Sequence, residues 1–213
     1  MARINVGVLA SGRGTDFQSL LDALARGELD VHIAVLVCNV PGAPVIERAK
    51  RHGVPHAVVD HKPFGRDRAA FERGVLKILR QHRVDLVVFA GFMRLVSPYF
   101  IREFRNRIIN IHPSLLPSFP GAHAQEDAIK AGAKVSGCTI HFVDESVDGG
   151  PIILQKAVPV LDDDTPETLA ARILEQEHSF LPLAVRLFAE RRLAIEGRRV
   201  RINRDGIELP PMA

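Results

Sequence analysis

In the stretch RIINIHPSLLP, residues 107–117, an amide and an imidazole stand two residues apart at the end of an apolar run. An extended chain sends alternate side chains to one face, so Asn110 and His112 share a face and Ile109 and Ile111 share the other. Pro113 stops the strand, and Pro117 stiffens the loop that follows. A third group, Asp148, lies in VDESVDGGPI, where Gly149 and Gly150 would let its loop approach another element closely. A carboxylate beside an imidazole orients the ring and favours its protonated form. Asn, His and Asp without a serine or cysteine nucleophile suggest acid–base and oxyanion chemistry with no covalent intermediate. A bland reading stands beside each: His112 packs on the proline loop, Asn110 closes a turn, and Asp148 is a turn residue before Gly-Gly.

A second chemical signal is the turn ASGRGTDF, with glycines at 12 and 14. Such glycines allow a tight turn, and the N–H groups opening the next helix can cradle an anion. A dinucleotide fingerprint would need a third glycine where Phe17 stands, and an acidic residue where Cys38-Asn39 ends the second strand. A Walker A loop would need Gly-Lys-Ser/Thr, which is absent. What survives is a site for one phosphate group, or a plain structural turn. Asp16 is expected to cap the helix through its side chain and to leave anion contact to backbone amides.

The elements that must position these groups alternate in the first half. Strands are expected at 4–10, 31–40, 56–60, 85–90 and 107–111, and helices at 16–27, 43–53, 66–82 and near 97–104. Gly27 and Gly53 supply stops, Ser97 a cap and Pro98 a first-turn residue. Apolar strands alternating with helices imply a parallel sheet covered on both faces. Asn110 and His112 then lie at a carboxyl end of the sheet, where ligands of open α/β folds bind, level with the glycine loop and with AGFMR, residues 90–94. The second half offers strands at 134–143 and 151–160 and a long helix over 165–192. That helix has Thr165 as cap, Pro166 in its first turn and Pro182 as a kink. Two short tail strands are expected with a turn at Asp205-Gly206.

Composition narrows the partners. The 213 residues suit one α/β domain, 46% hydrophobic and 25% charged, as in ordinary soluble proteins. A net charge of +3 does not point to nucleic acid, and no apolar run is long enough for a membrane span. Cys38 and Cys138 read as buried fillers of strands, giving no disulfide framework and a reducing, cytoplasmic setting. The three histidines of HGVPHAVVDH, residues 52–61, spread over a helix end, a turn and a strand, so no metal site is expected. His141 and His178 read as satisfied structural residues, and Arg198, Arg199, Arg201 and Arg204 as a solvated strand face.

Together, VLASGRGTDFQ, AGFMRLVSP, NIHPSLLPSFPGAH, HFVDESVDGGPII and EQEH resemble the folate-dependent phosphoribosylglycinamide formyltransferases of purine synthesis, nearly end to end. The resemblance implies a Rossmann-like α/β formyltransferase fold: a mostly parallel central sheet with helices on both faces and a C-terminal antiparallel elaboration. It implies a single domain over 1–213, with a phosphate-binding half at 1–110 and a folate-binding half at 111–213. The implied reaction moves a formyl group from 10-formyltetrahydrofolate, as co-substrate and without a metal, to the amine of glycinamide ribonucleotide. Asn110 would hold the formyl oxygen, protonated His112 would donate to the developing oxyanion, and Asp148 would orient His112. Backbone amides at Gly14, Thr15 and Asp16 would bind the substrate phosphate, although the family usually has Asn at the last position. Glu177 matches a residue on the ribose side. Met93, Arg94, Leu95 and Val96 match the segment lining the folate pocket, and Arg68 an arginine reaching the folate side. A homodimer is allowed; nucleic acid and membrane are not expected.

Three rivals are distinguishable. Methionyl-tRNA formyltransferase would need a long extra C-terminal domain, and formyltetrahydrofolate deformylase an additional N-terminal one. A non-catalytic phosphate- or folate-binding module would not require an acid beside Asn110.

Overall fold

The computed structural model describes residues 3–65 and 67–212, and the chain separates into two compact units, residues 1–110 and 111–213. In the first unit β1 (Asn5–Ala10), β2 (His32–Cys38), β3 (His56–Val58), β4 (Leu86–Phe89) and β5 (Ile108–His112) alternate with helices. These are α1 (Thr15–Ala25), α2 (Pro44–Arg51), α3 (Arg68–Gln81) and α4 (Pro98–Glu103). β5 begins in this unit, and its last two residues belong to the second. The strands lie in the order β3-β2-β1-β4-β5, every pair parallel. Their continuous Val, Leu and Ile runs explain this, because a parallel strand is covered on both faces: Val6, Leu9, Leu36, Leu86 and Ile108 are fully buried.

Register sets the edge that matters. Leu9 pairs with Phe89, and Phe89 with Asn110, so the carboxyl ends of β1, β4 and β5 finish in one row. The glycine loop, the segment after β4 and Asn110 therefore leave the sheet side by side.

Helix ends follow local chemistry. Ser97 accepts from the Phe100 N–H at the start of α4, with Pro98 next. The expected helix at 66–82 begins at Arg68, with the Asp67 carboxylate accepting from the Ala70 N–H. Arg66, its expected first residue, lies outside the described residues. A short 3-10 turn over Lys62–Phe64 precedes it, which periodicity could not reveal in three residues.

The second unit contains α5 (Ala124–Lys130), β6 (Val135–Phe142), β7 (Ile152–Pro159), α6 (Pro166–Ala189), β8 (Leu193–Glu196) and β9 (Arg199–Ile202). Its strands lie in the order β6-β7-β9-β8, with β6–β7 and β8–β9 antiparallel. α6 opens with a reciprocal pair: Thr165 Oγ1 accepts from the Thr168 N–H and Thr168 Oγ1 from the Thr165 N–H. The helix runs through Pro182 as one element. Both cysteines are buried in strands, as expected. The tail hairpin turns elsewhere than expected. Glu196 pairs with Arg199, so Gly197-Arg198 is its two-residue loop, with Gly197 at φ 62°. Asp205-Gly206 forms a later, separate turn. The sequence pattern gives little sign of α5 in AHAQEDAIKAG; only Ala124 and Ala128 mark its buried side.

The junction of β1 and α1 corrects one expectation. The residue before α1 is Gly14, left-handed at φ 71°, so the cap position itself carries no side chain. A Cβ on Gly14 would stand 2.4 Å from Val45 Cγ2, so both conformation and space require glycine. Asp16 is instead the second residue of the helix, 9% exposed. Burial pushes its carboxyl up to about 6, against the opposing pull of the Arg13 charge. The folded state thus binds the Asp16 proton more tightly than the unfolded chain, whose value is near 3.8. Stability falls as pH rises between these values, and the whole cost is present above about pH 6. Asp16→Asn should therefore stabilise the protein by roughly 2–3 kcal/mol at pH 8 and by nothing below pH 4. Denaturant melts of both proteins at the two pH values check this; equal stability at pH 8 would contradict it.

Candidate active site

β5 ends on His112, whose ring is 4% exposed. A buried ring needs a partner for each nitrogen. Nε2 lies 2.8 Å from the Phe119 carbonyl oxygen, which can only accept, so Nε2 carries a hydrogen. Nδ1 faces Asp148 Oδ2 at 3.4 Å. Nε2 thus has a hydrogen-bond acceptor, and Nδ1 has a carboxylate beside it.

The loop carrying Phe119 is held from below. Ser114 Oγ donates to the Ser118 carbonyl at 2.6 Å. Thr139 on β6 donates to the Ser114 carbonyl at 2.6 Å and accepts from the Leu116 N–H at 3.0 Å. Gln155 on β7 donates to the Leu116 carbonyl at 2.9 Å. The Leu116-Pro117 peptide is cis, and Phe119 has φ 53°. Buried polar side chains thus fix a loop that the sequence reads only as proline-rich.

Asp148 is held as firmly. Its Oδ2 also accepts from the Gly121 N–H at 2.8 Å, and its own φ is 50°. Close backbone approach leaves no room for a side chain at Gly150, whereas Gly149 faces the Ser146 side chain. A Cβ on Gly150 would stand 1.8 Å from the Phe142 carbonyl oxygen, and one on Gly149 2.3 Å from Ser146 Oγ. Arg198 Nη2 donates to the Gly149 carbonyl at 2.7 Å. Arg198 is exposed, as expected, but sits in the hairpin turn and not on a strand, and that turn meets the Asp148 loop next to the Ile152–Arg199 strand pair.

His141 is the residue that sequence reasoning undervalues. Its Nδ1 donates to the Phe142 carbonyl at 2.9 Å, leaving Nε2 toward Asp148 Oδ1 at 4.0 Å. Burial pushes its imidazole below the usual range, opposed by that carbonyl and by the Asp148 charge. Asp148 therefore stands between two buried rings, one at each oxygen. The available signal is spacing, since His141 and Asp148 flank one short loop between two strands.

The other expected residues fall as follows. Asn110 is half-buried, two positions before His112 on the same strand, so alternation puts both on one face. Gly14, Thr15 and Asp16 open α1. Met93, Arg94, Leu95 and Val96 follow β4 without regular structure, Met93 and Leu95 being 72% and 60% exposed. Arg68 heads α3 with an exposed side chain. Glu177 is buried on α6. The structure brings His112 and Asp148 into direct reach, and it sets Asn110, the glycine loop and residues 93–96 along one sheet edge.

The formyl transferase family matches residues 4–185. A phosphoribosylglycinamide formyltransferase of Bacillus subtilis is 43% identical over 179 residues, covering 84% of this chain and 91% of that one. A trifunctional purine biosynthetic protein adenosine-3 of Drosophila melanogaster is 45% identical over 185 residues, or 86% of this chain. This chain spans only 14% of that relative's length. The crystal structure of glycinamide ribonucleotide transformylase 1 from Symbiobacterium toebii superposes with a TM-score of 0.91 at 51% identity, covering 94% of each chain. From its paired imidazole and carboxylate, its mostly parallel α/β fold and a match over most of its length, this chain belongs to the formyl transferase family.

Proposed function

We propose that this protein transfers the formyl group of 10-formyltetrahydrofolate to the amine of 5'-phosphoribosylglycinamide, by direct attack through a tetrahedral oxyanion. The observation that carries the reading is the buried His112 ring, with Asp148 facing one nitrogen and a donating N–H at the other. The amine lone pair attacks the formyl carbon, and the carbonyl π pair moves onto oxygen. Asn110 holds that oxygen through its amide. His112 Nε2 donates to it as charge develops, exchanging its present acceptor, the Phe119 carbonyl, for the oxyanion. Asp148 keeps the ring oriented from the other side. Collapse breaks the bond from carbon to N10, and the amine proton passes to that nitrogen through a water molecule.

In the same reading the amides at Gly14, Thr15 and Asp16 receive the substrate phosphate, because a helix N-terminus presents unpaired N–H groups. Asp16 contributes its backbone only, since its carboxyl is buried and would repel an anion. Glu177 meets the ribose. Residues 93–96 line the folate pocket through backbone groups, with the exposed Met93 and Leu95 side chains against its flat face, and Arg68 reaches the folate tail. Chain 1–213 acts as one formyltransferase domain in the cytoplasm, and a homodimer fits the same reading.

Incubation with 10-formyltetrahydrofolate, with and without glycinamide ribonucleotide, tests the reaction. Tetrahydrofolate should appear only when the amine is present; release without it would instead indicate a hydrolytic deformylase, and no turnover a binding module. His112→Ala should lose about 3 kcal/mol of barrier lowering, roughly 150-fold in kcat, with both KM values within a few-fold. An unchanged kcat would remove His112 from the mechanism. Asp148→Asn keeps an acceptor for the Gly121 N–H but loses the charge facing His112, so kcat should fall about tenfold to a hundredfold with little change in melting temperature. Full activity of that variant would confine Asp148 to a loop-holding role.

A further inference from the structure

The loop proposed for phosphate and the segment proposed for folate meet at one hydroxyl. Ser11 is the first residue after β1. Its N–H donates to the Gly91 carbonyl at 3.0 Å. Its Oγ accepts from the Met93 N–H at 2.8 Å and donates to Asn39 Oδ1 at 2.6 Å. Asn39, just past β2, is 2% exposed, and its own Nδ2 and carbonyl oxygen lie 3.1 and 3.0 Å from His61 Nδ1. Four chain segments are thus joined through the Ser11 and Asn39 side chains.

The far end of the same segment is fastened independently. Ser97 donates to the buried Glu72 carboxylate from α3, through its N–H at 2.6 Å and again through its hydroxyl. Residues 93–97 are therefore a strap that lacks regular structure but has polar anchors at both ends. Between the anchors Met93 and Leu95 hold 72% and 60% of their surface in water. A free loop would fold such apolar side chains down; a backbone fastened at both ends keeps them presented.

A serine hydroxyl has one hydrogen. At Ser11 that hydrogen is committed to Asn39, and a lone pair is committed to Met93. It has no second hydrogen to offer a phosphate oxygen, although it sits in the glycine loop. We propose that Ser11 is a positioning residue for the formyl donor and not a phosphate ligand: it sets the height of the strap at Met93, and so where the folate face rests. This rests on the reading of residues 93–96 as the folate segment given above.

The test is two-substrate kinetics on Ser11→Ala and Ser11→Thr, together with equilibrium binding of a non-reactive folate analogue and of inorganic phosphate. Ser11→Ala leaves the Met93 N–H and Asn39 Oδ1 without their partner, so the donor KM and the analogue Kd should each rise about tenfold. The KM for the phosphorylated amine and the phosphate Kd should stay within about twofold. Ser11→Thr keeps the hydroxyl and should restore donor binding. An amine KM or phosphate Kd that rises as much as the donor value overturns the assignment, as does unchanged analogue binding in Ser11→Ala. The binding arms also separate this inference from the reaction itself. If the wild type binds the analogue but does not turn over, formyl transfer fails while weaker binding by Ser11→Ala still supports the positioning role; a wild type that binds no folate analogue overturns both.

Discussion

A buried imidazole with two nitrogens must find two partners, and that requirement organises the second unit. His112 ends β5 with almost no exposure, so Phe119 and Asp148 must both be delivered to it. Delivering the Phe119 carbonyl takes the loop after Pro113, and Thr139 and Gln155 hold that loop against β6 and β7. Delivering Asp148 takes a tight loop, which explains two glycines whose missing side chains leave room for Phe142 and Ser146. Each device is a polar contact or an absent Cβ, and each serves the same ring.

The first unit works by a different constraint, the common edge of parallel strands. Because β1, β4 and β5 run together, their carboxyl ends emit the glycine loop, the Met93 strap and Asn110 in one row. Parallel pairing alone would leave these segments as independent loops. Ser11, Asn39 and Glu72 fasten the glycine loop and the Met93 strap in place, although an amide and a carboxylate must be buried to do so. The buried Asp16 adds a cost of the same kind, since burial raises its carboxyl to about 6 and it is still largely ionised at neutral pH.

Much of this is legible in residue order. Alternation locates Asn110 and His112, Gly-Gly marks the Asp148 loop, and strand–helix alternation implies the parallel half, because each signal is local and periodic. The misses share a physical cause. The contact of the exposed Arg198 with the Gly149 carbonyl goes unread because the two are distant in sequence. Asp16 reads as a cap because its type suits one, yet Gly14 already holds that position. Dipeptide chemistry favours a tail turn at Asp205-Gly206, and pairing of Glu196 with Arg199 moves it to Gly197-Arg198.

Residue order already names the side chains that can do chemistry and the elements that carry them. Residue type and spacing are properties of the chain. What those side chains face comes from the folded chain: Asp148 set between His112 and His141, the Phe119 carbonyl on Nε2, and one serine hydroxyl shared by Met93 and Asn39. Hydrogen bonds depend on atoms brought within about 3 Å, and that closeness comes from packing and strand register, which no local pattern encodes.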